Sequence, residues 1–338
     1  MREKPLTLCK YFAEAMNYKH IFSFLLALAV LVGCQQGRYA TFTGFAQGGT
    51  YTVKADLQLV SVPAEQIQER IDAILDSIDF SLSGYNKNSL LSRYNAGETV
   101  EPDRFFREVR ALSERYREQT GGAFDVAAAP LFDIWGFGFT ADSLPDPERV
   151  RAALAACKEE KVLNFNAIAQ GYTCDVVADY LHAIGVHNML VDIGEIYCEG
   201  LNAAGKGWTI GVDNPVDGND TPGQDLRGIW QSNGRACGIV TSGNSRKFYV
   251  KDGKKYAHTI DPRTGYPVQH DLLSATIVAP TAAEADALAT ACMVIGTEQA
   301  RALIESRPDL EGYLITADTI WMSDGFAERA RGTYFPQK

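Results

Sequence analysis

The amino-acid sequence predicts an α+β fold, with helices packed on mixed or antiparallel sheets in a single domain of two subdomains. Three observations carry this. Segments with apolar residues at helical spacing cluster before Ile184, and segments with strand patterning cluster after it. The two kinds do not alternate strictly, as a parallel βαβ sheet would require. No Gly-x-Gly-x-x-Gly and no Gly-x-x-x-x-Gly-Lys-Ser/Thr occurs, so neither a Rossmann turn nor a P-loop is supported.

The N-terminus carries an address. "KHIFSFLLALAVLVGC" (Lys19 to Cys34) joins a basic flank to an apolar run from Ile21 to Val32 and ends in small Gly33 and Cys34. The run is short for a membrane span and suits a signal-peptide core. Residues 1–33 therefore read as a signal peptide, with Met16 as an alternative start. "LVGC" resembles a bacterial lipobox, which makes Cys34 the lipidation site and residues 34–46 a lipidated tether. An uncleaved anchor helix is the competing reading.

The elements then follow in order. "TYTVKADLQLV" (Thr50 to Val60) alternates and reads as a strand. Pro63 opens a helix that keeps Ile67, Ile71, Ile74, Leu75 and Ile78 on one face. A second helix spans about Pro102 to Gln119 and stops at Gly121-Gly122, with Phe105, Phe106, Val109, Leu112 and Tyr116 inward. A third runs from Pro147 to Lys158, and a fourth from Ala167 to Ile184 with Asn166 as N-cap. Strands are expected at Asn188–Ile193, Trp208–Asp213, Cys237–Ser242, Lys247–Val250, Lys255–Ile260 and Ser274–Pro280, with Asp252-Gly253 turning a hairpin. Helices at Ala282–Ile295 and Glu298–Ser306 and a closing hairpin complete the chain.

Composition narrows the partners. The net charge of −10 argues against nucleic acid, whose phosphates want clustered Lys and Arg. Seven cysteines occur without a Cys-x-x-Cys pair, so a zinc-ribbon type of site has no support. Cys9 and Cys34 belong to the leader and its anchor. Cys157, Cys174, Cys198, Cys237 and Cys292 sit in apolar surroundings and read mostly as core thiols.

Four stretches could carry chemistry. In "PTAAEADALATACMVIG", Thr281 and Glu284 fit a capping box, which puts Asp286 and Thr290 one turn apart on a helix buried nearly all round. A buried carboxylate needs a partner; an oxygen-seeking Mg²⁺ or a neighbouring loop would supply it. In "NFNAIAQGYTCD" (Asn164 to Asp175), small residues at a helix start allow a close approach by backbone or anion. "TGGAFDVAAAPLFDIWGFG" (Thr120 to Gly138) is too aromatic for a solvated loop, and either packs inward or lines a pocket for a flat ligand. "HTIDPRTGYP" (His258 to Pro267) has the Pro, Gly and Asp of a tight turn, yet carries a histidine and an arginine that a plain turn does not need.

Taken together these stretches resemble the ApbE-like family of FAD:protein FMN transferases over nearly the whole mature length, residues 47–338. The resemblance rests on "GGTYTV", "LSGYNKNSLLSRYN", "GGAFDVAAAPLFDIWGFG", "NAIAQGYTCDVVA", "IVTSGNSRKFY", "HTIDPRTGYPV" and "ADALATACMVIG", in the family's order. It implies Mg²⁺-dependent transfer of FMN from FAD to a Thr or Ser hydroxyl of a target flavoprotein, with release of AMP. The implied Mg²⁺ ligands are Asp286, Thr290 and the backbone carbonyl of Ala167. The implied FAD contacts are Gly48, Tyr85, Ala123, Phe124, Asp125, Asn164, Gln170 and Ile260, with His258 as the base beside the reacting phosphate. An FAD pyrophosphatase and a non-catalytic FAD-binding lipoprotein are the alternatives.

Three positions depart from the family's pattern: Asn164 where Asp is usual, Gly48 where Met is common, and "VDIGEI" with one glycine fewer after its strand. The resemblance and the leader together imply a lipid-anchored enzyme of the bacterial envelope, facing the periplasm and acting on exported partners such as membrane redox-complex subunits. Gln35 after Cys34 favours the outer over the inner membrane. Cys34→Ser should release the protein from membranes, because the apolar run is too short to hold the chain alone. A Cys34→Ser chain that stays membrane-bound, with no lipid on the wild type, would overturn the lipobox reading.

Overall fold

The computed structural model describes residues 38–138, 144–216, 218–219, 221, 223–244, 248–251 and 254–331, without the side chains of 248–251, 254 and 255. The leader, Cys34 and the Asp252-Gly253 apex lie outside the described residues.

An eight-stranded sheet organises the chain. Its order is β1 (Tyr39–Ala46), β2 (Gly49–Asp56), β3 (Met189–Asp192), β4 (Ile196–Glu199), β7 (Cys237–Gly243), β12 (Leu272–Ala279), β13 (Glu311–Thr316) and β14 (Ile320–Met322). Every neighbouring pair is antiparallel. A second sheet orders β15 (Ala330–Arg331), β6 (Leu226–Gln231) and β5 (Thr209–Asp213). The hairpins β8 (Phe248–Lys251) with β9 (Lys254–Ala257) and β10 (Ile260–Asp261) with β11 (Tyr266–Pro267) stand apart from both.

Strand β1 corrects the expectation of a tether over residues 34–46. Residues Tyr39–Ala46 pair fully with β2 through a two-residue loop, in which Gln47 and Gly48 both have positive φ. The period-two signal was masked because Gly44, opposite Tyr51, carries no inward side chain to follow buried Phe42. Strands β4 and β6 were also unforeseen, and the strand expected over Lys255–Ile260 breaks at His258 into β9 and β10.

A run of helices lies between β2 and β3 in the chain, of which the first packs against β1 and the last against β3 and β4. They are α1 (Ala64–Leu82), α2 (Leu90–Asn95), α3 (Arg104–Gln119), α4 (Ala129–Ile134), α5 (Pro147–Cys157) and α6 (Ala169–Ala183). The isoleucine face of α1 is buried as its spacing requires. On α3, Asp103 caps the N-terminus by accepting from the Phe106 amide, and Phe106, Val109 and Tyr116 point inward. Asn166 is not the cap of α6. Its amide donates to Asn164 Oδ1 at 2.9 Å, and the helix starts two residues beyond the expected Ala167, with Ile168 at the cap position. The side chain of Asn164 closes a local turn that holds the backbone out of the helix.

At the centre lies α7 (Ala282–Ile295), followed by α8 (Thr297–Glu305) and, after β14, by α9 (Asp324–Arg329). Thr281 accepts from the Glu284 amide, as the capping pattern foretold, and α7 is buried on almost every side. It wedges between α6 and strands β7 and β12. Two glycines make the wedge possible: a Cβ on Gly238 would stand 2.3 Å from Ala282 Cα, and one on Gly171 the same distance from the Ala282 carbonyl oxygen. Cys157, Cys174, Cys198, Cys237 and Cys292 are buried free thiols. Gly238→Ala should destabilise the chain by about 1–3 kcal/mol, the usual cost of overpacking a dense core. Urea unfolding of the variant measures it, and an unchanged midpoint would show that α7 can shift freely.

Candidate active site

One cleft of about 1130 Å³ gathers most of the predicted site residues. Helix α7 supplies its innermost polar groups. Asp286 is only 4 % exposed, and its Oδ2 accepts from the Gly171 amide at 3.1 Å. Thr290, one turn on, places Oγ1 3.5 Å from Ser242 Oγ on β7. Ala167, in the turn before α6, lines the same cleft. Burial pushes the Asp286 carboxyl above its usual range, and the Gly171 amide opposes the shift. One amide satisfies a fraction of the roughly four lone-pair sites of a carboxylate. A buried carboxylate, a hydroxyl and a neighbouring backbone carbonyl make a hard oxygen donor set, and these residues fit Mg²⁺.

The Thr120–Gly138 segment divides between the two roles open to it. Phe124, Leu131 and Trp135 are buried in the core, with Trp135 Nε1 donating to the Gly265 carbonyl at 2.8 Å. Phe132 and Phe137 face the cleft, as do Ala123, Phe124, Asp125, Asn164, Tyr85 and Ile260. Asp125 accepts from the Ala127 amide at 2.8 Å and pairs with Arg117 at 3.1 Å. Burial nonetheless pushes its carboxyl up from the ordinary value. Two predicted contacts stand back from the cleft wall. Gly48 occupies the β1–β2 turn beside cleft-lining Gly49, and Gln170 donates to the Ile193 carbonyl at 3.2 Å.

His258 lines the cleft where β9 breaks from β10, with the Phe137 ring edge-on at 6.3 Å. The rest of "HTIDPRTGYP" is the turn that presents it. Gly265 N donates to the Asp261 carbonyl at 2.8 Å, and the Arg263 guanidinium pairs with Asp261 at 2.8 Å. The arginine that a plain turn did not require therefore braces the turn.

Sequence reasoning missed Asp175. Its two oxygens accept from the amides of Ala282 and Ala283 at 2.8 and 2.9 Å, fixing the start of α7 from the neighbouring helix. Nothing local in "YTCD" announces this, since the partner is more than a hundred residues away in the chain. Thr52, Lys54 and Asp192, on the outer face of β2 and β3, also line the cleft. The alternation of "TYTVKAD" carried that signal.

Likeness to known proteins makes this chain a transferase. The chain belongs to the ApbE family, whose model matches residues 48–314. It is 31 % identical to the FAD:protein FMN transferase of Haemophilus influenzae, with 94 % of this chain and 97 % of that one covered. It shares 30 % identity and a TM-score of 0.73 with the solved flavin transferase ApbE from Vibrio cholerae, covering 86 % of this chain and 99 % of that one. The apo flavinyl transferase ApbE of Pseudomonas stutzeri is similar at 31 % identity and a TM-score of 0.74, over 86 % and 96 % of the two chains.

Burial raises Asp175 to about 7, against the two amides it accepts from. An unfolded aspartate titrates near 3.9, so between those values the folded chain holds more protons than the unfolded one. Stability from this group is therefore lost as pH rises through that window. Chemical unfolding at pH 5 and pH 8 should show a larger loss for the wild type than for Asp175→Asn. Equal losses would remove Asp175 from the linkage.

Proposed function

We propose that this chain is an Mg²⁺-dependent FAD:protein FMN transferase. It moves FMN from FAD to a Thr or Ser hydroxyl of a target flavoprotein and releases AMP. The observation that carries the reading is the convergence in one cleft of the Asp286–Thr290–Ala167 oxygen set, the Ala123–Asp125 wall and His258. The relatives named FAD:protein FMN transferase support it.

Asp286, Thr290 and the Ala167 carbonyl would hold the Mg²⁺, which when bound neutralises charge on the pyrophosphate. The chain's own groups do the rest. Tyr85, Asn164, Phe132 and Phe137 border the space for the flavin nucleotide, and Ile260 closes its inner side. Ala123 and Phe124, both buried, keep that wall dry. A ring nitrogen of His258 takes the proton from the acceptor hydroxyl, whose oxygen then bonds the FMN phosphorus while the bond to the AMP oxygen breaks. The acceptor we infer is an exported protein such as a membrane redox-complex subunit. The leader supports a site of action in the bacterial envelope, facing the periplasm and anchored through Cys34, with the outer membrane favoured.

His258→Ala should slow single-turnover transfer by about 10²–10⁴-fold, the usual weight of a general base, and leave FAD affinity nearly unchanged. A normal single-turnover rate at saturating FAD would remove His258 from the chemistry. Asp286→Ala should abolish Mg²⁺-dependent turnover, and Thr290→Val should do less harm, since a neutral hydroxyl gives a hard cation less than a carboxylate does. Mass spectrometry of an acceptor peptide incubated with the chain, FAD and Mg²⁺ decides the reaction: FMN on the peptide supports transfer, whereas FMN found only free in solution makes the chain a pyrophosphatase.

A further inference from the structure

At the end of α6 remote from the cleft, three ligating side chains meet. His182 lies in the last turn of α6, His187 on the turn leading into β3, and Glu199 at the end of β4. Their ligand atoms all lie within 4.8 Å of one another. The helix runs from Ala169 to Ala183, which sets them about 20 Å along its axis from the Asp286 end.

The arrangement is more than an ion pair. His182 Nε2 stands 2.5 Å from Glu199 Oε2, and the Tyr197 hydroxyl donates to the same oxygen at 3.2 Å. The Tyr197 ring meets His182 edge-on at 6.4 Å, which limits how the imidazole can turn. A simple pair would account for these two, but not for the His187 ring, whose centroid lies 5.8 Å from that of His182 at an interplanar angle of 31°. Two imidazoles and a carboxylate facing one point are a ready donor set for a single cation, and the carbonyls at a helix C-terminus favour positive charge.

We propose that His182, His187 and Glu199 form a divalent-metal site of the zinc type, separate from the active site. Imidazole nitrogen with one carboxylate suits Zn²⁺, Cu²⁺ or Ni²⁺ and discriminates against Mg²⁺, which prefers oxygen alone. Tetrahedral zinc with bonds of about 2.0–2.1 Å holds its donors about 3.3 Å apart. The short His182–Glu199 contact opens slightly to reach that spacing, and His187, on the surface, swings in. Three protein donors leave a fourth position for water. Bound metal joins the end of α6 to the β3–β4 hairpin, and so pins helix layer to sheet at a place where no other cross-link is needed by the chemistry.

The test uses the full chain stripped by chelation and titrated with Co²⁺ and Zn²⁺ in millimolar Mg²⁺. One equivalent of Co²⁺ should bind with the visible bands of low-coordinate cobalt, and Zn²⁺ should raise the thermal midpoint. His187→Ala should weaken Zn²⁺ binding at least about tenfold and erase the thermal shift, without loss of flavin transfer. His187 is exposed, so its truncation does not threaten folding. Glu199→Gln should weaken binding as well. Asp286→Ala should leave the stoichiometry intact. No saturable uptake, equal uptake by His187→Ala, or uptake lost in Asp286→Ala but kept in His187→Ala would each overturn the proposal.

Discussion

The burial of helix Ala282–Ile295 governs this molecule. The helix carries a carboxylate into the interior at Asp286, and its start is held by a second carboxylate, Asp175, through two backbone amides. Both groups are pushed upward by burial. Charge that deep persists only where neighbours answer it. The glycines at 171 and 238 let helix α6 and strand β7 close in until the Gly171 amide can do part of that. The mouth of the cleft supplies the remainder of the space, which is why the polar end of an otherwise apolar helix faces a cavity. Site and core are one construction here.

Much of this was legible from residues alone, for a physical reason. Helix α7 was bounded correctly because Thr281 and Glu284 signal locally, and the run between them and Gly296 is apolar apart from Asp286 and Thr290. The isoleucine stripe of α1 is likewise a short-range fact. What escaped depends on contacts far apart in sequence. Strand β4, four residues long, becomes a strand because β3 and β7 flank it. Asp175 acquires its partners across the fold. Arg263 is a local exception: its partner Asp261 stands only two residues away, and the folded turn brings the two together. Gln170 and Gly48, both implied as FAD contacts by the resemblance, stand back from the cleft wall.

Asn164 shows how a departure from the family's pattern can be structurally quiet. Its Oδ1 holds the Asn166 amide, and its own amide donates to Val126 O at 2.8 Å, so it ties the start of α6 to the aromatic segment. An aspartate at this position could accept the same bond from Asn166. The turn therefore does not depend on the charge, and the difference is felt in the cleft's electrostatics rather than in its shape.

The first strand has a consequence for reach. Because β1 begins at Tyr39, only residues 35–38 separate the sheet from Cys34, a span of about 17 Å at full extension. A lipid on Cys34 would leave little slack, less than the thickness of a bilayer's hydrocarbon core. The edge of the large sheet would stand against the membrane like a keel, and the protein could rotate about its mooring but not swing away from it. Acceptors would be chosen by height above the bilayer as much as by sequence: a hydroxyl presented on a long stalk would pass overhead, and one held near the headgroups would come level with the cleft.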